Sequence, residues 1–302
     1  MLSSSRPWLR SIVLFVTLVA SFCVYGHYNF YRDPGSIFFD EHRAFQRQYS
    51  TYRQAEIAGF SDVRQDTHAI SRTKKTASIC ASFPSVERQG SQYLPLEHLQ
   101  ELELNKDFST KAVFDYIHAL SDCYETQADW IIIFEDDILL ADGWFAKTKQ
   151  AVLSFSEEAK DDMLFMRLFN QERSTGWGSR EAGKAFMLPP HPGVRKERFG
   201  CCAQGLVFPR AKAARVVEHL NAKQSGQIDL MLDDLAKEDK LDRYALYPVQ
   251  VQHIGQSSVR GTTAHEAQAI WSMTFEDLDP KALRMSHAKM LKDLYPSECA
   301  IG

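Results

Sequence analysis

Several features that mark special classes of protein are missing from this chain of 302 residues. Glycine and proline are not enriched, at 15 and 11 residues, and no repeat or low-complexity tract occurs, which excludes fibrous and largely disordered proteins. The net charge of -4 provides no basic excess, so we expect no nucleic-acid partner. Because 44% of the residues are hydrophobic and 25% are charged, the composition predicts an ordinary globular domain.

One long apolar run is present near the N-terminus. Residues 11–26 carry no charge and follow Arg6 and Arg10. The run suits a thin early-secretory membrane, although ~20 residues are more usual for a span. The upstream arginines predict a cytoplasmic tail at 1–10, a transmembrane signal anchor at 11–26 and a luminal remainder. A signal peptide cleaved near Ala20 and Ser21 is the alternative.

The rest of the chain alternates between strand-like and helical patterns. Residues 27–75 are charged and rich in glutamine, which predicts a stem or one amphipathic helix docked on the domain. From residue 76 onward the alternation predicts an α/β domain over 76–302, with a mixed sheet flanked by helices. We expect strands near 76–83, 131–134, 163–169, 200–208 and 247–254, and helices near 111–123, 143–155, 211–220 and 228–236.

The cysteines are compatible with a luminal location. Five of them lie beyond the apolar run. Adjacent cysteines do not readily bridge to each other, because bridged Cα atoms usually lie farther apart. An oxidising lumen therefore permits bridges from Cys201 or Cys202 to Cys80 or Cys123, with at least one thiol left over.

The most informative stretch is an apolar strand, 130–134, that ends in Glu135, Asp136 and Asp137. Three adjacent carboxylates repel one another, and packing alone does not require them. A divalent cation with oxygen ligands relieves that repulsion, and ligands of open α/β sheets bind at the carboxyl ends of strands. The stretch predicts a metal site for a phosphate-bearing substrate; the alternative is a solvated acidic loop.

Further motifs accompany the acidic triplet in a fixed order. They are the segments 88–93, 114–116, 133–138, 141–144, 167–169, 176–177, 201–210, 252–258 and 270–276. Together they resemble the Golgi GPI-glycan N-acetylgalactosaminyltransferase family with its fungal relatives, and more distantly N-acetylglucosaminyltransferase IV. The resemblance implies a GT-A glycosyltransferase fold behind a Golgi membrane anchor, a UDP-N-acetylhexosamine donor and a GPI or related glycan acceptor.

The chemistry of such a transferase assigns roles to particular residues. A Mn²⁺ or Mg²⁺ ion must neutralise the departing diphosphate. Asp137 matches the last metal-binding position of the family motif, which leaves Glu135 and Asp136 near the ribose or the cation. His253, at the end of a late strand, is predicted to be a further metal ligand. A core histidine bonded to a backbone carbonyl is the alternative for His253.

An inverting transferase also needs a carboxylate that accepts the proton of the acceptor hydroxyl. Asp229 is the candidate base, ahead of Asp233 and Asp234, although all three also suit a solvated helix face. Trp177 is predicted to stack on a sugar, or else to anchor its loop. Arg260 is predicted to contact phosphate, or else to be a solvated loop residue. Arg167, on an apolar strand, faces either the diphosphate or a core acid.

One departure from the family affects the predicted function. Only about fifty residues separate the strand at Ala77 from the strand at Ile131, whereas GT-A nucleotide-binding halves usually need two strands and more helix there. We therefore expect a GT-A-like domain that is shortened in its nucleotide-binding half. Two functions follow, namely an active metal-dependent transferase and an inert relative that serves as a binding or scaffold subunit. A metal-dependent hydrolase of unrelated topology is a third.

Overall fold

The computed structural model describes residues 7–31, 36–61, 76–81, 101–135, 137–170, 193–197, 200–255 and 270–295. Asp136, Trp177 and Arg260, which the sequence places at the site, lie outside these residues. The described part is a mixed α/β domain that follows one apolar N-terminal helix.

The apolar helix, Pro7–Asn29, extends beyond the predicted span of 11–26 at both ends. Proline at the first helical position is compatible with helix formation, because its missing N–H would have no partner there. The segment Trp8–Asn29 has a mean hydropathy of 1.9, and almost none of it is buried against the rest of the protein. Its 22 residues extend roughly 33 Å at 1.5 Å per residue, enough to cross a hydrocarbon core.

The domain is organised around a mixed sheet, as predicted. Its strands are β1 Thr76–Ala81, β2 Trp130–Glu135, β4 Met163–Arg167, β5 Gly193–Glu197, β6 Gly205–Pro209 and β7 Asp242–Tyr247. They lie in the order β1-β2-β6-β4-β7-β5. Only β4 and β7 are parallel, and every other pair is antiparallel. A separate antiparallel ribbon joins β3, Ile138–Leu140, to β8, Val251–His253.

The side chains of β2 show why helices cover both faces of this sheet. Ile131 and Ile133 belong to one core cluster, whereas Trp130, Ile132 and Phe134 belong to the other. This alternation is the two-residue period of a strand that is buried on both faces. The helices Phe108–Glu125, Arg210–Lys223 and Ile228–Glu238 cover the first face, and the second is covered in part by Trp144–Leu153 and Pro280–Leu294. Shorter helices are Glu41–Ala44, Glu157–Asp162 and Met273–Glu276.

The late strand predicted at 247–254 was wrong in its extent. The structure has two strands there, because β7 ends at Tyr247 and β8 covers only residues 251–253. Pro248 interrupts the pairing, since proline has no N–H to donate to a neighbouring strand. The two strands then belong to different sheets, and this break redirects β8 towards β3.

Part of the segment predicted as a stem packs on the domain. The helix Tyr49–Ser61 begins in the core, where Tyr49 is 2% exposed. The Glu276 carboxylate accepts hydrogen bonds from the backbone N–H groups of Gln48 and Ser50, at 2.7 and 3.1 Å. Gln252, beside His253 on β8, donates to the other oxygen of Glu276 at 2.9 Å. Glu276 thus caps the docked helix from a distant part of the chain.

Candidate metal site at the end of strand β2

The acidic end of β2 is held next to β8 by backbone hydrogen bonds. Glu135 is the last residue of β2, and the chain turns at once into β3. Ile138 of β3 pairs with His253 of β8, and the Ile254 N–H donates to the Asp137 carbonyl at 2.9 Å. The ribbon therefore carries His253 to the carboxylates that end the central strand.

Three potential ligands converge at this point. The ligand atoms of Glu135, Asp137 and His253 all lie within 4.8 Å of one another, and His253 Nε2 lies 3.0 Å from Asp137 Oδ2. Two ligand atoms that each lie about 2.1 Å from one cation are about 3.0 Å apart when their bonds to the cation form a right angle. They are about 4.2 Å apart when they lie on opposite sides of the cation. The residues therefore fit a divalent cation after small side-chain rotations. Two carboxylates with an imidazole suit Mn²⁺ better than Mg²⁺, which prefers oxygen ligands alone.

Gly255 makes this approach sterically possible. A Cβ atom at position 255 would collide with Asp137 Oδ2 and would lie 2.9 Å from His253 Cε1. The backbone of Gly255 is outside the left-handed region, so close approach, rather than conformation, requires glycine here. The sequence argument missed this residue, although its position two residues after the histidine was visible.

The two residues differ in their exposure. The His253 side chain is 11% exposed, whereas that of Asp137 is 44% exposed. The ring nitrogen Nε2 faces a carboxylate, so His253 differs from a core histidine that is satisfied by a backbone carbonyl alone. A carboxylate that is partly exposed beside a largely buried imidazole is compatible with a cation that also binds ligands from outside the protein.

Tyr116 is a neighbour of the site that the sequence argument did not assign. It lies on the helix Phe108–Glu125 and is 4% exposed. Burial raises the pKa of Tyr116 well above its usual value, and the Glu135 carboxylate raises it further. The hydroxyl therefore remains protonated, and it has no hydrogen-bond partner among the described residues.

Asp229 lies at the first turn of the helix Ile228–Glu238, where an acid complements the helix dipole. Its Oδ2 accepts a hydrogen bond from the Cys202 N–H at 2.9 Å. The same loop reaches the metal site, because Gln204 accepts a hydrogen bond from the Glu135 N–H at 3.3 Å. Asp229 is partly exposed, so its carboxylate is both oriented and accessible.

The other two candidate bases have different environments. Asp233 is 6% exposed, and its Oδ1 lies 2.6 Å from Arg243 and 3.3 Å from Arg167. Those ion pairs make Asp233 part of the core. The Asp234 side chain is 52% exposed and lies 3.6 Å from Lys237, as expected for a solvated helix face. Of the three, Asp229 alone is bonded to the loop that adjoins the metal site.

Arg167 pairs with core acids, which was one of its two predicted roles. Its guanidinium contacts Glu197 at 3.0 Å as well as Asp233. It also donates to three successive carbonyls, those of residues 200–202. Burial raises the Glu197 pKa to about 7, although Arg167 acts in the opposite direction. Arg167 therefore holds the loop that carries the Asp229 contact.

The prediction that Cys201 and Cys202 do not bridge to each other was wrong. The structure joins them in a disulfide, with their Cα atoms 3.7 Å apart. Cys202 has a φ of 82°, and its carbonyl and N–H are held by Arg167 and Asp229. These contacts fix a local backbone that general disulfide geometry does not anticipate. Cys123 is also disulfide-bonded.

The chain matches no protein-family model, and no curated protein matches it significantly. Function is therefore inferred from the residues of the site and their surroundings.

Proposed function

We propose that this protein is a membrane-anchored, Mn²⁺-dependent, inverting glycosyltransferase with a GT-A-like fold. It transfers N-acetylhexosamine, in particular N-acetylgalactosamine, from a UDP-sugar to a GPI or related glycan in the Golgi. The observation that carries the proposal is the convergence of Glu135, Asp137 and His253 at the end of the central strand. The ordered motifs that resemble the transferase family support the donor and the acceptor.

Each residue of the candidate site has a separate role in the proposed reaction. A bound cation supplies Lewis-acid neutralisation of the departing diphosphate. Asp137 and His253 would hold that cation, with Glu135 as a further carboxylate ligand. The acceptor hydroxyl attacks the anomeric carbon from the face opposite the leaving UDP, and Asp229 accepts the hydroxyl proton. The Cys202 N–H orients the Asp229 carboxylate for this transfer.

The apolar helix supports a type II membrane topology with the catalytic domain in the lumen. The helix runs without interruption through Ala20 and Ser21, the alternative cleavage site. Its last turn is bonded to the domain, since Arg43 donates to the His27 carbonyl at 3.2 Å. A segment that packs against the folded domain is better suited to an uncleaved anchor than to a removed signal peptide.

The position of β1 favours the second candidate, an inert relative acting as a binding or scaffold subunit. β1 pairs with β2 alone and forms one edge of the main sheet. Within the described ranges, no strand lies beyond β1 to complete a larger nucleotide-binding half. A shortened donor site would weaken UDP binding while leaving the metal ligands in place.

Two measurements on the full chain in nanodiscs distinguish the two candidates. The first is the binding of Mn²⁺ and of UDP, and the second is the release of UDP from UDP-N-acetylgalactosamine. We expect Asp137→Ala to lower Mn²⁺-dependent turnover by on the order of 10³-fold. Asp229→Asn should keep Mn²⁺ and UDP binding but lower kcat by about 10²- to 10⁴-fold. Asp234→Asn is the matched control and should behave like the wild type.

Each negative result has a distinct meaning. Equal turnover by wild type and Asp137→Ala would remove the acidic cluster from the catalytic centre. A wild type that binds Mn²⁺ but neither binds UDP nor releases it would exclude the transferase and favour the inert subunit.

A further inference from the structure

A short turn lies beside the luminal end of the apolar helix. Ser36 organises this turn, because its hydroxyl accepts a hydrogen bond from the Phe38 N–H and its carbonyl accepts one from the Phe39 N–H, both at 3.1 Å. Ile37 is 91% exposed. A single exposed isoleucine is ordinary on a protein surface, so the contacts of its neighbours decide what it meets.

The position of Phe38 shows how deep this turn reaches. Its ring packs edge-to-face on Phe22 with the centroids 6.1 Å apart. The same ring lies so close to Gly26 that no side chain fits there. The uncharged run ends at Gly26 on the luminal side. Phe22 lies four residues before that end, which corresponds to about 6 Å along a helix. If that run lies in the hydrocarbon, the Phe38 ring does too.

The polar contacts next to the turn occur at the depth expected for the membrane interface. Arg43 donates to the His27 carbonyl and lies over the Tyr31 ring, 4.0 Å from its centroid. The Asp40 N–H donates to the Tyr31 carbonyl at 2.9 Å. Tyrosine and arginine are typical of the headgroup region. From Phe22 to Tyr31 the contacts thus change from apolar to polar, as a bilayer surface would require.

Successive phenylalanines connect the helix to the domain. Phe38 packs on the anchor, whereas Phe39 packs on the cluster of Ala44, Trp271 and Met273 in the luminal domain. The turn is therefore fixed between the two, and its depth is set by both. A domain attached in this way has a defined orientation towards the membrane.

We propose that residues 36–39 form a second membrane-embedded element, which inserts into the luminal leaflet beside the anchor and fastens the domain to the bilayer. The partner is the acyl-chain region of the lipid. Two of the turn's backbone N–H groups, those of Phe38 and Phe39, are satisfied within the turn, which lowers the number of polar groups that insertion would leave without a partner. The proposal rests on the membrane-spanning role of the apolar helix in the proposed function, but not on catalysis. It implies that the site works on acceptors carried at the membrane surface.

The test places a probe at position 37 of the full chain. In a Cys23→Ser background, Ile37→Cys is labelled with a small fluorophore and reconstituted in nanodiscs with or without brominated acyl chains. Brominated lipid should lower the fluorescence at position 37 by roughly twofold, as expected for a group in the outer part of the hydrocarbon. Labelling of Cys23→Ser alone gives the background from other thiols. Leu104→Cys, at another highly exposed apolar residue (82%), should not be quenched.

A second variant tests the anchoring contact. Phe38→Ala, added to Ile37→Cys, removes the ring that lies against Phe22 and should reduce the quenching at position 37. Val16→Cys, on the anchor itself, should be strongly quenched. Fluorescence at position 37 that matches position 104 while position 16 is quenched would overturn the proposal. Absence of quenching at position 16 would overturn the span and the proposal together. No donor or cation is needed, so the outcome is independent of transferase activity.

Discussion

Two clusters of this protein each combine a glutamate and an aspartate with basic side chains, but the two differ in burial and charge balance. The metal-site cluster of Glu135, Asp137 and His253 is partly open to solvent. The buried cluster consists of Arg167, Glu197, Asp233 and Arg243, and its Arg167 and Glu197 side chains are each 1% exposed. The buried cluster balances two guanidinium groups against two carboxylates. The open cluster has two carboxylates and one imidazole, so it carries negative charge that a cation can neutralise.

Burial and charge balance distinguish the structural role of the buried cluster from the binding role proposed for the open one. Breaking a buried, balanced cluster leaves an uncompensated charge in the core, which is costly. Removing one acid from an open, negative cluster relieves repulsion and costs the fold little. Substitution in the buried cluster should therefore lower stability, whereas substitution in the open cluster should weaken ligand binding.

The largest expected effect on stability is in the buried cluster. Arg167→Ala should lower the free energy of unfolding by about 3–5 kcal/mol, because it leaves Glu197 buried without its ion-pair partner and Asp233 with Arg243 alone. Arg215→Ala, which removes an exposed pair with Asp239, is the control and should cost less than about 1 kcal/mol. Asp137→Ala should also stay within about 1 kcal/mol of the wild type. Denaturant unfolding of the full chain measures all three, and similar losses for Arg167→Ala and Arg215→Ala would contradict the comparison.

The buried cluster should also make stability depend on pH. The Glu197 pKa is about 7 in the folded protein, against an ordinary value of 4.5, mainly because of burial. The folded state therefore binds this proton more tightly than the unfolded state does. The stabilisation that this tighter proton binding provides is complete below pH 4.5. It is lost as pH rises to about 7, which lowers the free energy of unfolding by up to about 3 kcal/mol.

The variant Glu197→Gln isolates this contribution. It should flatten the fall in unfolding free energy between pH 4.5 and 7, whereas Glu218→Gln, on an exposed side chain, should leave the fall unchanged. The same pH dependence in wild type and Glu197→Gln would assign the titration to another group.

Binding of a cation to the open cluster should raise the stability of the protein. Mn²⁺ at 100 times its Kd should raise the unfolding free energy by about 2.7 kcal/mol, because it binds the folded state. His253→Ala should lose most of this gain, whereas His42→Ala, at an exposed histidine, should retain it. Thermal unfolding with and without Mn²⁺ provides the measurement. An undiminished gain in His253→Ala would remove His253 from the ligand set.

The smallest expected effect concerns the close contact between Gly255 and the open cluster. Gly255→Ala introduces a Cβ atom against Asp137 and His253, so it should weaken Mn²⁺ binding by about tenfold, or 1.4 kcal/mol. Without Mn²⁺, its unfolding midpoint should match that of the wild type. Unchanged Mn²⁺ affinity would show that the three side chains adjust freely around position 255.

Much of the architecture could be read from local patterns. The apolar run, the buried strand 130–135 and the amphipathic helices carry their signals in consecutive residues, because period and hydrophobicity are local properties. The acidic end of β2 was equally visible. The break at Pro248 was also present in the sequence but was not used, which merged two strands into one.

Contacts between distant residues had no such signal. The cap that Glu276 supplies to the helix Tyr49–Ser61 joins residues 226 positions apart. The choice of Arg167 for the core, rather than for a diphosphate, depended on where Glu197 and Asp233 lie after folding. The bridge between Cys201 and Cys202 depended on a backbone that Arg167 and Asp229 hold from distant parts of the chain.

The local sequence was thus sufficient for an apolar N-terminal helix, for alternating strands and helices, for three acids at a strand end and for His253 as a candidate ligand. Only the tertiary structure showed that His253 lies 3.0 Å from Asp137, assigned Asp233 to the core and Asp229 to a partly exposed loop contact, and set Phe38 against the apolar helix. The physical reason is that side-chain type and period are encoded within a few residues. Charge compensation, burial and metal-ligand distance instead depend on which strands become neighbours.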